Sequence, residues 1–470
     1  MATTAAIATG APQNATLVRG MSLWDAVLLL VGGIIGSGLF LTSSDVAAST
    51  HTPLLFMLAW VFGGAVSILA CFAFAELGSM YPEAGGVYTY LREAYGDFPA
   101  FLYGWMIFSV NNTGSLAAIA AGFAAYAGAI VPGLHAGKAV FSLGAWTVNV
   151  GQLVAMAAIA FLTFINVVGL RPAVILQNLA TWAKFAAIGG FLVLGFLFGH
   201  GHWGNFAQPI PGAVSPRVLM SGFGVALIAV FWVYDGWVYI TWAAGEIKEP
   251  QKNVPRSLLY GIGIVTAIVI AINVLYLYAM PMNTMQSQPT VGETAARMLF
   301  FPRAGQYLGA LVAIACFGAA ASCTLSGARV YYAMAQDGIF FKKIAEVHPK
   351  WRTPAFSLIV QGFWSCALVL SGRYDQLFTY VMFMGVISYL AGAASVFILR
   401  RTKPDMPRPY KCPGYPWVPL AYCLICGAWA LNALWSKPVE SLAGVGITLI
   451  GAPAYLYWHH AKKQRANIGA

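Results

Sequence analysis

Charge is what this chain has least of. Asp, Glu, Lys and Arg together make up 9% of its 470 residues, against roughly 25% in a soluble domain. That leaves too little polar surface to cover a water-facing globule. Acids are the scarcer sign, 15 against 26 bases. No phosphate-cradling GxxxxGK[ST] loop occurs, which argues against ATP-driven pumping by this chain. The seven histidines are scattered, and the His200/His202 and His459/His460 pairs fall at the ends of apolar segments with no carboxylate beside them. No metal, cofactor or acid–base constellation is expected from them. The seven cysteines give no outer-loop pair, so no structural disulfide is expected. Cys423 and Cys426 form a lone C-x-x-C, read as small packing residues of a helix rather than a metal site.

What the chain does have is long apolar runs. Hydrophobic residues make up 59% of it, and Val148 to Val168 carries no charge. A membrane span needs about 20 such residues. Twelve spans are expected, near 22–50, 53–79, 98–131, 147–169, 172–199, 216–246, 255–280, 304–336, 354–371, 375–400, 415–436 and 439–460. The fold class is therefore an all-α integral membrane protein. The first residues lack the compact apolar core of a signal peptide. They read as a disordered cytosolic tail over 1–18, with a second tail at 461–470.

The net charge of +11 is explained by topology better than by nucleic acid or anionic lipid. With both termini in the cytosol, nineteen Lys and Arg fall on the cytosolic side and six on the outer side (Lys138, Arg217, Arg297, Arg303, Arg373 and Lys437). Lys184 is left inside a span. One frame thus obeys the positive-inside rule, and one span more or fewer would scramble it.

Chemistry concentrates in two spans. The first holds Val31-Gly32-Gly33-Ile34-Ile35-Gly36-Ser37-Gly38, four glycines in seven residues. Each weakens a helix by about 1 kcal/mol relative to Ala. A small-residue packing face is the plain reading. The sharper one is a helix that unwinds at mid-membrane and turns free backbone N–H groups toward an anion such as a carboxylate. The sixth span holds Phe231-Trp232-Val233-Tyr234-Asp235-Gly236-Trp237. A break there frees carbonyls, which suit an ammonium. Asp235 at that depth carries a penalty of about 3 kcal/mol unless it faces a cavity or partner. Breaks in spans one and six imply a five-span repeat over 19–200 and 216–400, inverted because five is odd, with spans eleven and twelve over 401–460. That is the pattern of a secondary transporter with a midplane site.

Three further residues draw attention. Lys184 lies close to mid-span, so a partner is expected: carbonyls freed by the first break, or the hydroxyls of Ser322 and Ser326. A fixed ammonium there would hold the first and eighth spans together, as a bound sodium ion does elsewhere. Glu76 and Glu246 lie near cytosolic ends of the second and sixth spans. Glu76 suits proton coupling, or more plainly a gate-side ion pair. Trp232 is either a core aromatic or a lid over a bound side chain.

These residues resemble those of the amino acid–polyamine–organocation superfamily, and within it the L-type amino acid transporter branch, as a prokaryotic member. Gly33 to Phe40 resembles the first-helix motif. Phe74-Ala75-Glu76-Leu77-Gly78 with Gly85 to Tyr90 is similar to the second helix end and its loop. Asp235-Gly236-Trp237 and Glu246 to Pro255 resemble the sixth helix and its exit, and Ser326 to Gly338 the eighth. Lys437 to Glu440 and Gly451-Ala452-Pro453 resemble the last loop and helix of the L-type branch. The resemblance implies the inverted five-plus-five fold with broken helices 1 and 6. It also implies that backbone N–H groups of Ile34, Ser37 and Gly38 hold a substrate carboxylate. Carbonyls of Ile34, Trp232 and Asp235, with Val233 beside them, would hold its ammonium. Trp232 stands at the gating aromatic and Lys184 at a lysine of sodium-independent members.

The activity implied is sodium-independent exchange of neutral L-amino acids across the cell (inner) membrane, with membrane lipid around it and no nucleic acid or cofactor. Animal L-type proteins are disulfide-linked to a heavy chain through an outer-loop cysteine. Pro132 to Ala145 has none, so no such partner is expected. The tenth span reads Met384-Gly385-Val386-Ile387-Ser388, without the polar Asn of some members. Rival readings are a proton-coupled symporter and, through Asp235, a carrier of cationic amino acids or polyamines. A channel would need a continuous polar lining, and a membrane-embedded enzyme a clustered acid, base or metal set; neither is visible.

Overall fold

The computed structural model describes residues 16–134, 137–143, 146–212, 215–372, 374–436 and 438–468. Of the expected tails, 1–15 and 469–470 lie outside the described residues, as do the expected outer cations Arg373 and Lys437; residues 461–468 of the second expected tail instead continue the last helix, Gly451–Ile468. Among the described residues, ten helices are long and apolar enough to cross a membrane. Two shorter apolar helices, Leu23–Ile34 and Ala355–Ser371, stand where the first and ninth spans are expected. A helix therefore occupies each of the twelve expected places, and the chain is a multi-pass membrane protein.

Helix starts follow side-chain capping. Ser22 and Asp25 form a reciprocal box at Leu23–Ile34, and Asn149 and Gln152 another at Val150–Val168. Thr52 and Ser215 accept from the third backbone N–H beyond them. Such caps satisfy N–H groups that a helix leaves unpaired, which matters most where water is absent.

Three boundaries differ from expectation. The fourth helix starts at Val150 because Trp146–Asn149 pairs antiparallel with Ala139–Leu143 as a small hairpin, the one pair of strands among the described residues. The seventh starts at Pro250 rather than 255, since proline is well placed in a first turn. The last divides into Pro438–Leu449 and Gly451–Ile468.

Ala304–Gln336 is the central element; 78% of its most apolar stretch is buried inside the protein. It lies along Asn112–Ile130 and Leu170–Phe198 and also meets Leu23–Ile34. Pro53–Met80 lies along Pro250–Ala279, where backbones come so close that a Cβ on Gly64 would sit 2.4 Å from Thr266 Cγ2. With lipid as solvent, such small-residue contacts replace hydrophobic drive as the source of packing. The result is a cage of long helices around the two interrupted ones.

Candidate substrate site between two helix breaks

Leu23–Ile34 ends where Ile35 turns extended (φ −77°, ψ 91°), and helix resumes at Gly38–Leu41 and Ser43–Thr50. Among the described residues, the N–H groups of Gly38 and Leu39 meet no acceptor, while Ser37 lies against the Cys316 thiol. The glycines upstream serve close approach: a Cβ on Gly33 would lie 2.6 Å from the Tyr239 ring, and one on Gly32 2.4 Å from Thr181 Oγ1.

The second break interrupts Pro216–Tyr234. Asp235 is extended (ψ 150°) and Gly236 takes φ +117°, a conformation open to glycine and strained for other residues. Helix resumes at Tyr239–Trp242. The Asp235 carboxylate caps the break by accepting from Gly236 N–H at 2.9 Å, and the Tyr389 hydroxyl donates to the same oxygen at 2.9 Å. Among the described residues, the carbonyls of Val233 and Tyr234 meet no donor. Those of Ile34 and Trp232 each accept one bond, from Gly36 (2.9 Å) and Asp235 (3.3 Å), which leaves each a lone pair.

The breaks touch. A Cβ on Gly236 would lie 3.2 Å from Ile34 Cγ1. Between them is a cavity of about 80 Å³. All six expected substrate residues line it: Ile34, Ser37, Gly38, Trp232, Val233 and Asp235. A second cavity, of about 580 Å³, shares Trp232 and Asp235 and runs along the tenth and eleventh helices to Glu440. The Trp232 indole stands between the two, 40% exposed, with one carbon 3.2 Å from where a Cβ of Gly38 would be.

Lys184 is 2% exposed and donates to the carbonyls of Gly32 (2.6 Å) and Ile35 (2.7 Å). It ties the fifth helix to the first break. The expectation of Ser322 and Ser326 as partners is corrected here: Ser322 donates to Gly318 O at 3.3 Å, and the buried Ser326 hydroxyl has no partner among the described residues. A serine within a helix is readily taken by the carbonyl one turn back.

Both acids are ion-paired. Arg400 holds Glu76 in a fork at 2.9 and 2.6 Å, the Cys412 N–H adds a bond at 2.7 Å, and Arg408 stands 3.5 Å away. The Glu76 carboxylate is thus engaged by Arg400 and a backbone N–H at the end of the second helix. Glu246 pairs with Arg329 at 2.6 Å, both fully buried, so Arg329 is an interior residue rather than a loop cation. The chain is closed nearby, where Met21 N–H reaches Glu246 O (3.0 Å) and Lys248 N–H reaches Met21 O (2.8 Å). In the short helix Val87–Tyr95, burial raises the Glu93 carboxyl, but hydrogen bonds from Lys403 and Arg92 outweigh it and hold the group below its ordinary value.

Sequence reasoning missed Tyr389, Tyr239 and Asn111, all of which line one cavity or the other. Tyr389 follows the 384–388 stretch directly, and a lone phenol in an apolar span was its available signal. Asn111-Asn112 inside the third span was a plainer one.

Comparison with known proteins finds relatives over nearly the whole chain. A family model for amino acid permeases matches residues 21–451. The serine/threonine exchanger SteT of Bacillus subtilis is 31% identical over 458 residues, covering 96% of this chain and 98% of that protein. The b(0,+)-type amino acid transporter 1 of Mus musculus is 29% identical over 453 residues (96% and 90%). The large neutral amino acids transporter small subunit 2 of Homo sapiens is 27% identical over 460 residues (95% and 82%).

Proposed function

The chain belongs to the amino acid permease family and is an amino acid transporter rather than an enzyme; we propose that it exchanges small neutral L-amino acids by alternating access. The observation that carries this is a small cavity lined by both helix breaks. The Gly38 N–H, without an acceptor among the described residues, stands on one side of it, and the Val233 carbonyl, likewise without a donor, on the other. A zwitterion satisfies both at once, with its carboxylate on the N–H side and its ammonium on the carbonyls of Ile34, Trp232, Val233 and Asp235. The size of the cavity, about 80 Å³, is room for roughly five to eight water-sized groups, which suits an amino acid with a short side chain. The printed specificity of the relative SteT, serine and threonine, agrees with that size.

Trp232 is the lid between this cavity and the wider one. Lys184 fixes the first break without a metal ion, which supports sodium independence. Glu76, held by three donors, is a poor proton carrier, so exchange is favoured over symport. The helices at twelve places support twelve transmembrane passages in an inverted five-plus-five repeat plus two, with both termini in the cytosol and the protein in the cell membrane. The lack of a cysteine in 132–145 supports function without a disulfide-linked heavy chain. The test is uptake of labelled amino acids into proteoliposomes, loaded or empty, with and without a proton gradient. Uptake of serine or threonine only into amino-acid-loaded vesicles is expected. Gradient-driven uptake into empty vesicles would make the protein a symporter.

A further inference from the structure

The third helix carries an irregularity that the site described above does not use. Between Asp97–Met106 and Asn112–Ile130 it makes a π-helical turn, Ile107–Asn111. π-turns are uncommon and cluster at functional sites. This one is held by side chains, two of them from other helices and one, Thr113, from its own. The carbonyls of Ile107, Phe108 and Ser109 accept from Tyr331 OH (3.4 Å), Thr113 Oγ1 (2.9 Å) and Trp364 Nε1 (2.7 Å).

Its effect is to give two adjacent asparagines opposite surroundings. The Asn112 amide is fully engaged in the protein, donating to Tyr331 OH (3.3 Å) and Gln361 Oε1 (3.2 Å) and accepting from Cys323 Sγ (3.1 Å). Asn111 lines the wide cavity, and its side chain meets no hydrogen-bond partner among the described residues. Beside it on the same cavity wall is Gly385, where a Cβ would lie 3.8 Å from the Asn111 amide nitrogen. Asn111 also continues a stripe: Ser115, Ala118 and Ile119, four, seven and eight residues on, line the small cavity. One face of the third helix thus borders both cavities, which share Trp232 and Asp235. An unpaired amide inside a membrane protein is unfavourable unless a ligand or water meets it.

We propose that Asn111 is a specificity-determining residue that hydrogen-bonds the side-chain hydroxyl of the substrate where that side chain reaches from the small cavity past Trp232 into the wide one, selecting hydroxylated over purely aliphatic amino acids of equal size. An amide carries both a donor and an acceptor, and a hydroxyl answers either. The proposal rests on the reading of the site as one for small neutral amino acids.

Threonine and valine separate the two, being nearly the same size and differing by one hydroxyl. Equilibrium binding of each is measured on the purified full-length protein, its Asn111→Leu variant and its Asn111→Ala variant. The wild type should favour threonine. Asn111→Leu should lose roughly threefold to tenfold of threonine affinity, the span of one net hydrogen bond, with valine affinity within about twofold of wild type. A merely structural residue would move both ligands together. Equal loss of both, or threonine affinity unchanged in a variant that binds valine, overturns the proposal. If Asn111→Leu binds neither ligand, the same ratio in Asn111→Ala decides. A wild type that binds neither overturns the substrate reading itself, and this inference with it.

Discussion

Replacing Lys184 by methionine should reduce exchange far more than it destabilises the fold. The ammonium makes two short bonds to carbonyls at the first break, 2.6 Å to Gly32 and 2.7 Å to Ile35. Hydrogen bonds from a charged donor contribute about 1.5–3 kcal/mol each, so losing both costs about 3–6 kcal/mol. Methionine also removes a buried charge, whose insertion penalty is about 3 kcal/mol. The net destabilisation is then about 0–3 kcal/mol, within what a folded protein tolerates. The break, however, loses what fixes its carbonyls and hence the direction of the N–H groups at 37–39. Exchange should fall tenfold or more, equivalent to ~1.4 kcal/mol of lost positioning. The assay pairs thermal unfolding of detergent-purified Lys184→Met with counterflow in proteoliposomes at matched protein. Wild-type exchange in the variant would refute the reasoning and reduce Lys184 to a snorkelling residue.

Other substitutions test other parts of the account. Gly33→Ala puts a methyl 2.6 Å from the Tyr239 ring, so exchange should be lost and partly return in Gly33→Ala/Tyr239→Ala; normal exchange in the single variant would contradict the geometry. Glu246→Gln leaves the buried Arg329 without its counter-charge, a loss of about 3–5 kcal/mol visible as a large fall in Tm, whereas Glu246→Leu/Arg329→Met should recover most of it. Trp232→Ala should weaken amino acid binding about tenfold, ~1.4 kcal/mol, by opening the small cavity to the wide one; unchanged affinity and dissociation rate would remove the lid. Glu93 is held below its ordinary value in the folded state, so its ionised form stabilises the fold above the unfolded value of about 4.3 and that contribution is lost as pH falls through the lowered one. The Tm advantage of wild type over Glu93→Gln, present at pH 7, should therefore shrink with acidification below about pH 4.3; an advantage that grows would reverse the sign.

Local chemistry was legible in the sequence; contacts between distant segments were not. Glycine density at 32–38 and the Asp235-Gly236 pair announced both breaks, because few other features explain glycine and acid at mid-span. Lys184 announced its need for a partner, but not that carbonyls would win over Ser322, whose hydroxyl its own helix takes. The clamp on Glu76 joins residues 324 apart in the chain, a pairing no single sequence displays. The hairpin at 139–149 was missed although Val140, Leu143, Trp146 and Val148 are apolar, because apolar residues before a long run look like the start of the run. Tyr389 and Asn111 were passed over for a similar reason: each sits in an apolar span, and only the fold shows which face meets a cavity.

The most direct measurement is a structure of the protein with bound L-threonine. The account predicts the amino acid in the small cavity, its carboxylate on the Gly38 N–H and its ammonium on the carbonyls around Val233. Threonine bound only in the wide cavity, with the Gly38 N–H still unpaired, would contradict the central claim.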